Sequence, residues 1–83
     1  MIAMKQDFVV GGKQVHLTSA KVLSALRGVL PGPIHIHAVE INGLTYPVKE
    51  ALSIVTGLDL LDFNTNQARN IFRRLGFKVV RVG

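Results

Sequence analysis

The sequence predicts a small α+β domain: a largely antiparallel sheet with three helices, in the order β-β-α-β-β-α-α-β. Three features lead there. Two glycine-based turns are flanked by strand-like residues, three apolar stripes recur at helical spacing, and a β-branched run closes the chain. The 83 residues suffice for one domain, 1–83, with a thin stability margin. A hydrophobic content of 48% supports a real core, and the absence of Trp makes that core mainly aliphatic.

The first pair of strands runs through Phe8-Val9-Val10 and Val15-His16-Leu17, joined at Gly11-Gly12. Glycine reaches the positive φ of a tight hairpin at no steric cost. Thr18-Ser19 then offers a cap, and Val22, Leu23, Leu26 and Leu30 follow at helical spacing until Pro31-Gly32-Pro33 stops the helix. Residues 34–41 form the next strand, and Asn42-Gly43 turns it into Leu44-Thr45-Tyr46. Pro47 suits the first position of a second helix, whose stripe is Val48, Ala51, Leu52 and Val55 and whose stop is Gly57.

A short apolar connection, Leu58 to Phe63, leads to a third helix. Asn64 and Gln67 have the spacing of a capping box, and Ala68, Ile71, Phe72 and Leu75 are the expected buried stripe, with Arg69 and Arg73 exposed. Gly76 ends the helix, and Phe77 packs back on Phe72 as in a Schellman motif. Lys78 to Val82 closes as a strand, and its Val-rich edge could support a weak homodimer.

Composition narrows the function. Without cysteine there are no disulfides, thiolate nucleophiles or Cys-ligated zinc, which fits a reducing cytoplasm. No apolar run reaches signal-peptide or membrane-span length, so no membrane partner is expected. Catalytic patterns are missing: Gly11-Gly12 lacks a phosphate-loop context, the serines lie on helices without a nucleophile elbow, and the five acids show no paired spacing. The expectation is a protein that binds and does not catalyse. His35 and His37 share a strand face, and His16 could join them at a metal. With no carboxylate or fourth ligand evident, they read as the polar side of a half-buried strand, so neither metal nor cofactor is expected.

Ten Lys+Arg against five Asp+Glu give a net charge of +5, which suits a polyanionic partner. The third helix concentrates that signal. Asn66, Arg69, Asn70 and Arg73 recur at i, i+3, i+4, i+7 opposite the apolar stripe, Gln67 and Arg74 flank them, and no acid interrupts the face. Arg and Asn/Gln bond base edges bidentately, and Arg also holds phosphate. The favoured partner is therefore double-stranded DNA. Arg69, Arg73 and Arg74, with Lys49 and Lys78, would anchor phosphates, and Asn66, Gln67 and Asn70 would approach base edges. An ordinary solvated helix face is the bland alternative, but such faces usually interleave Glu with Lys. The second and third helices would form a variant helix-turn-helix, because their connection exceeds the usual 3–4-residue turn. An acidic protein partner, in a larger complex, is the second reading. RNA is the third, since only Phe8 and Tyr46 could stack bases from strands.

The stretch from Val39 to Val80 carries an Asn42-Gly43 hairpin, Tyr46-Pro47-Val48-Lys49, Phe63, Ala68-Arg69 and Arg73-Arg74-Leu75-Gly76-Phe77-Lys78-Val79. It resembles the small N-terminal accessory domain of modification-dependent HNH restriction endonucleases and related bacterial defence proteins. The resemblance covers about half the chain and implies a DNA-associated setting without nuclease activity, because the HNH catalytic domain is absent. Asn64-Thr65-Asn66 stands where that family often has a Ser-Gly-Gly-like segment, so a shared ligand is not implied.

Overall fold

Two turns fix the strand pairing. In the computed structural model, which describes residues 5–33 and 36–82, Gly11 and Gly12 both have positive φ, as do Asn42 and Gly43. Each pair forms a two-residue loop whose twist matches the flanking strands. The first loop joins β1 (Lys5–Val10) to β2 (Lys13–Thr18), and the second joins β3 (His37–Ile41) to β4 (Leu44–Pro47). The chain continues through α2 (Val48–Thr56), a 3-10 turn (Leu60–Asp62), α3 (Thr65–Arg74) and β5 (Lys78–Arg81), with α1 (Ser19–Ala25) after β2.

Class, element order and antiparallel pairing are those expected from the sequence. The strands, however, divide between two sheets: β1-β2 stands as a hairpin, and β4-β3-β5 forms the other sheet. One core joins them. Phe8, Val10 and Leu17 from the hairpin meet Val39, Ile41 and Tyr46 from the second sheet and Leu52, Ile71 and Phe72 from the helices.

Helix α1 is shorter than its apolar spacing suggested. Thr18 caps it through its hydroxyl, which accepts from Lys21 N at 2.9 Å, but the helix ends at Ala25, and Gly28 takes a left-handed φ of 78°. Leu30, expected in the stripe, is 82% exposed. A long-range bond holds the segment that follows. Tyr46, fully buried on β4, directs its hydroxyl to the carbonyl oxygens of Val29 at 2.6 Å and Leu26 at 3.2 Å. Those groups sit just past the helix, where the carbonyls lack intrahelical partners.

Pro47 is the last residue of β4 and the N-cap of α2, one position earlier in the helix scheme than expected. Its ψ of 133° is extended, which lets it end the strand as well as start the helix. Gly57, at φ 76°, closes α2 as anticipated.

Candidate functional site

Local sequence builds both ends of α3. Asn64 Oδ1 accepts from Gln67 N at 2.8 Å, and Gln67 Oε1 accepts from Asn64 N at 2.9 Å, completing the capping box. At the other end Gly76 N donates to Arg73 O at 3.0 Å and Phe77 N to Phe72 O at 2.9 Å, the two bonds of a Schellman motif. The Phe72 and Phe77 rings meet edge to face, 6.1 Å apart. Ala68, Ile71, Phe72 and Leu75 are buried as the stripe requires. The helix is thus held at both ends and along one side, which fixes the direction of its polar face.

That face has two flanks. One meets β3 and β5. Strand alternation puts His37, Val39 and Ile41 on the same side of β3, and the pairings His37↔Arg81 and Val39↔Val79 add Arg81 and Val79 of β5 to that side. Val39 and Ile41 belong to the core under α3, so His37 and Arg81 lie at the edge of the same face. Partial burial lowers the pKa of His37 below its ordinary value, and the charges of Arg69, Arg81 and Arg73 lower it further. Four nitrogen-rich side chains from three elements therefore share one neighbourhood.

The polar atoms there are incompletely bonded. Among the described residues, the buried side-chain nitrogen or oxygen atoms without a hydrogen-bond partner are His37 Nδ1 and Arg69 Nε. Both belong to this cluster. Arg69 is half-buried rather than exposed as expected, because it occupies the helix flank turned towards the sheet; its Nη1 reaches Asn66 Oδ1 at 3.4 Å. Next to His37, a groove of about 210 Å³ runs past Ile36, Pro47, Val48, Lys49 and Thr65. Lys49 Nζ stands 5.8 Å from the centre of the Phe63 ring beside it.

The other flank of α3 faces β1. Gln67, Asn70 and Arg74 line a pocket with Asp7, Phe8, Val9 and Ile71, and the Arg74 guanidinium carbon lies 5.5 Å from the centre of the Phe8 ring. Lys78 is elsewhere. It pairs across the strands with Glu40, on the sheet side opposite His37 and Arg81, and its Nζ is 4.0 Å from Glu40 Oε2.

Of the sequence-predicted site residues, Arg69, Arg73 and Asn66 share one flank and Lys49 borders it through the groove. Gln67, Asn70 and Arg74 turn towards β1, and Lys78 lies behind the sheet. Sequence reasoning missed His37 and Arg81 as members of the site. Their alternation along each strand was visible, but the register that pairs them was not. The histidine trio is not assembled on the described residues. His16 is in the β1-β2 hairpin, bonded through Nδ1 to Asp7 Oδ1 at 2.7 Å, and His35 lies outside the described residues. Among the described residues no group of three His, Cys, Asp or Glu is placed to hold a metal, and no helix is long and apolar enough to cross a membrane. Tyr46 is fully buried and Phe8 nearly so, which leaves neither strand aromatic as an open stacking platform. Helices α2 and α3 pack together but are joined by residues 57–64, with the 3-10 turn between them.

The model of a family described as SCO5918-like matches residues 8–82. No curated protein and no solved structure matches the chain.

Proposed function

We propose that this chain, which belongs to the SCO5918-like family, is a non-catalytic DNA-binding module that anchors phosphates through Arg69, Arg73 and Arg81. The observation that carries the reading is the location of the two orphaned buried nitrogens, His37 Nδ1 and Arg69 Nε, inside the arginine cluster. Native structures leave few buried polar atoms unbonded, and a bound water or ion accounts for some of those that remain. A phosphate supplies several acceptor oxygens and offsets the mutual repulsion of the cations. Guanidinium groups hold phosphate with directional, charge-assisted bonds. Asn66, exposed on the flank of Arg69 and Arg73, would approach base edges once the backbone is held, as would Asn70 from the flank turned towards β1. Gln67 spends its carbonyl oxygen on the capping box, which weakens its case as a base reader.

A DNA-associated setting also agrees with the resemblance of residues 39–80 to the accessory domain of modification-dependent HNH endonucleases. The second reading, an acidic protein partner, draws on β5, which is the outer strand of its sheet and could pair with another chain, including a second copy. Salt separates the two. Fluorescence anisotropy with duplex DNA, single-stranded DNA and RNA at two salt concentrations is expected to show duplex binding that weakens steeply with salt. Absence of duplex binding at low salt would sink the DNA reading and promote the protein partner.

A further inference from the structure

The pocket between β1 and α3 is a feature of the described surface that phosphate anchoring leaves unused. We propose that it receives one unstacked nucleobase from the nucleic acid held by the arginines. The inference rests on the proposed phosphate-binding role of α3 and extends it to a second contact on the other flank.

Size is the first argument. The pocket holds about 230 Å³, below the roughly 300–1,000 Å³ of sites for drug-sized ligands, and suits a single base. Chemistry is the second. The nearly buried Phe8 and Ile71 supply an apolar floor, and the exposed Arg74 guanidinium lies over the Phe8 ring, so the guanidinium plane and not the ring is turned to a base. Splayed-out bases are commonly held by stacking on such groups and by hydrogen bonds to their edges. Asn70 provides the edge contacts: among the described residues its amide has no hydrogen-bond partner, so it keeps both a donor and an acceptor. Gln67 retains its amide nitrogen as a donor after its oxygen enters the capping box. The Asp7 carboxylate, already accepting from His16, offers an acceptor for an exocyclic amino group but also disfavours a phosphate at this spot. That combination selects a base over a backbone contact.

Position is the third argument. Asn70 lies one residue from Arg69 in sequence, and the arginine cluster and the pocket flank the same helix, whose width with side chains is about 10–12 Å. A strand whose phosphate sits at Arg69 and Arg73 can swing a neighbouring base over the exposed centre of α3 into the pocket. Extrusion costs least where the base is already unpaired.

The test compares three labelled duplexes by anisotropy: fully paired, with a single-adenine bulge, and with an abasic residue at the same bulge. Adenine is chosen because an Asn amide bonds its N6 and N7 together. The adenine bulge is expected to bind on the order of tenfold more tightly than the abasic one. Val9, 71% exposed at the pocket rim, allows Val9→Trp to fill the pocket. That variant should lose the preference and bind the paired duplex as the parent does, and Asn70→Ala should also lose the preference. Equal affinity for the adenine and abasic bulges, with paired duplex still bound, overturns the pocket assignment alone. A preference that survives both variants also overturns it. Free adenosine competing as well as the bulged duplex overturns the assignment to a base carried on a strand. Failure of all three duplexes to bind removes the phosphate reading and this one with it.

Discussion

Arg81 and Lys78 lie three residues apart on one strand, and the pleat puts them on opposite sides of the sheet. Arg81 shares the His37 face with Arg69 and Arg73, while Lys78 stands behind the sheet beside Glu40. Each phosphate neutralised on B-DNA contributes about −0.9 to the slope of log K against log salt, so three anchoring arginines give a slope of about −2.7. Between 50 and 200 mM salt that slope corresponds to a loss of about 40-fold in affinity. Arg81→Ala leaves two anchors, a slope of about −1.8 and a loss of about 12-fold over the same range. Lys78→Ala should keep the parent value near 40-fold, because its ammonium neither faces the cluster nor lacks a counter-charge. Both side chains are exposed, so thermal unfolding should be nearly unchanged and serves as the control for folding. The assay is anisotropy of a labelled duplex at four or more salt concentrations. A Lys78→Ala slope reduced as much as that of Arg81→Ala would refute the reasoning, since net charge would then matter and placement would not.

Three further outcomes are expected. Phe72→Ala, at a fully buried position in the centre of α3's apolar stripe, should cost about 3–5 kcal/mol, measured by urea unfolding; a cost below about 1 kcal/mol would contradict its core role. Tyr46→Phe removes the hydroxyl that holds Val29 and Leu26, leaves the part-buried Val29 carbonyl without that donor while Leu26 keeps the bond from Val29 N, and should lower stability by about 1–3 kcal/mol; hydrogen exchange should rise in the segment after α1. The pKa of His37 is lowered in the folded state, so the unfolded chain takes up that proton first as pH falls. Its contribution to stability is therefore present above the ordinary value of 6.5 and is lost as pH drops through the folded-state value. His37→Asn should reduce that acid sensitivity, and NMR titration of the ring reports the pKa directly. Duplex binding, by offsetting the arginine charges, should raise the pKa towards its ordinary value.

The sequence by itself determined what is built from contacts a few residues apart. Gly11-Gly12 and Asn42-Gly43 became two-residue turns because positive φ is a property of the residues themselves. Asn64 with Gln67, and Gly76 with Phe77, closed the two ends of α3 because each bond spans one or two helical turns. The buried stripe Ala68, Ile71, Phe72 and Leu75 followed from a period of 3.6. Tertiary structure decided the rest, since the deciding partners are distant in the chain. Tyr46 holds the Val29 carbonyl from seventeen residues away, in a segment where Leu30 lies in solvent although its spacing favoured a longer α1. The split into two sheets depends on which edges pair, and alternation within a strand does not encode that choice. The same register places Arg81 opposite His37 and Lys78 opposite Glu40. A row of basic residues was legible from charge alone, but their division into a cluster around His37, a pocket wall at Arg74 and a lysine paired behind the sheet required the packing of α3 on β1, β3 and β5. Helical and strand periods assign side chains to faces of their own element, whereas only packing determines which faces meet.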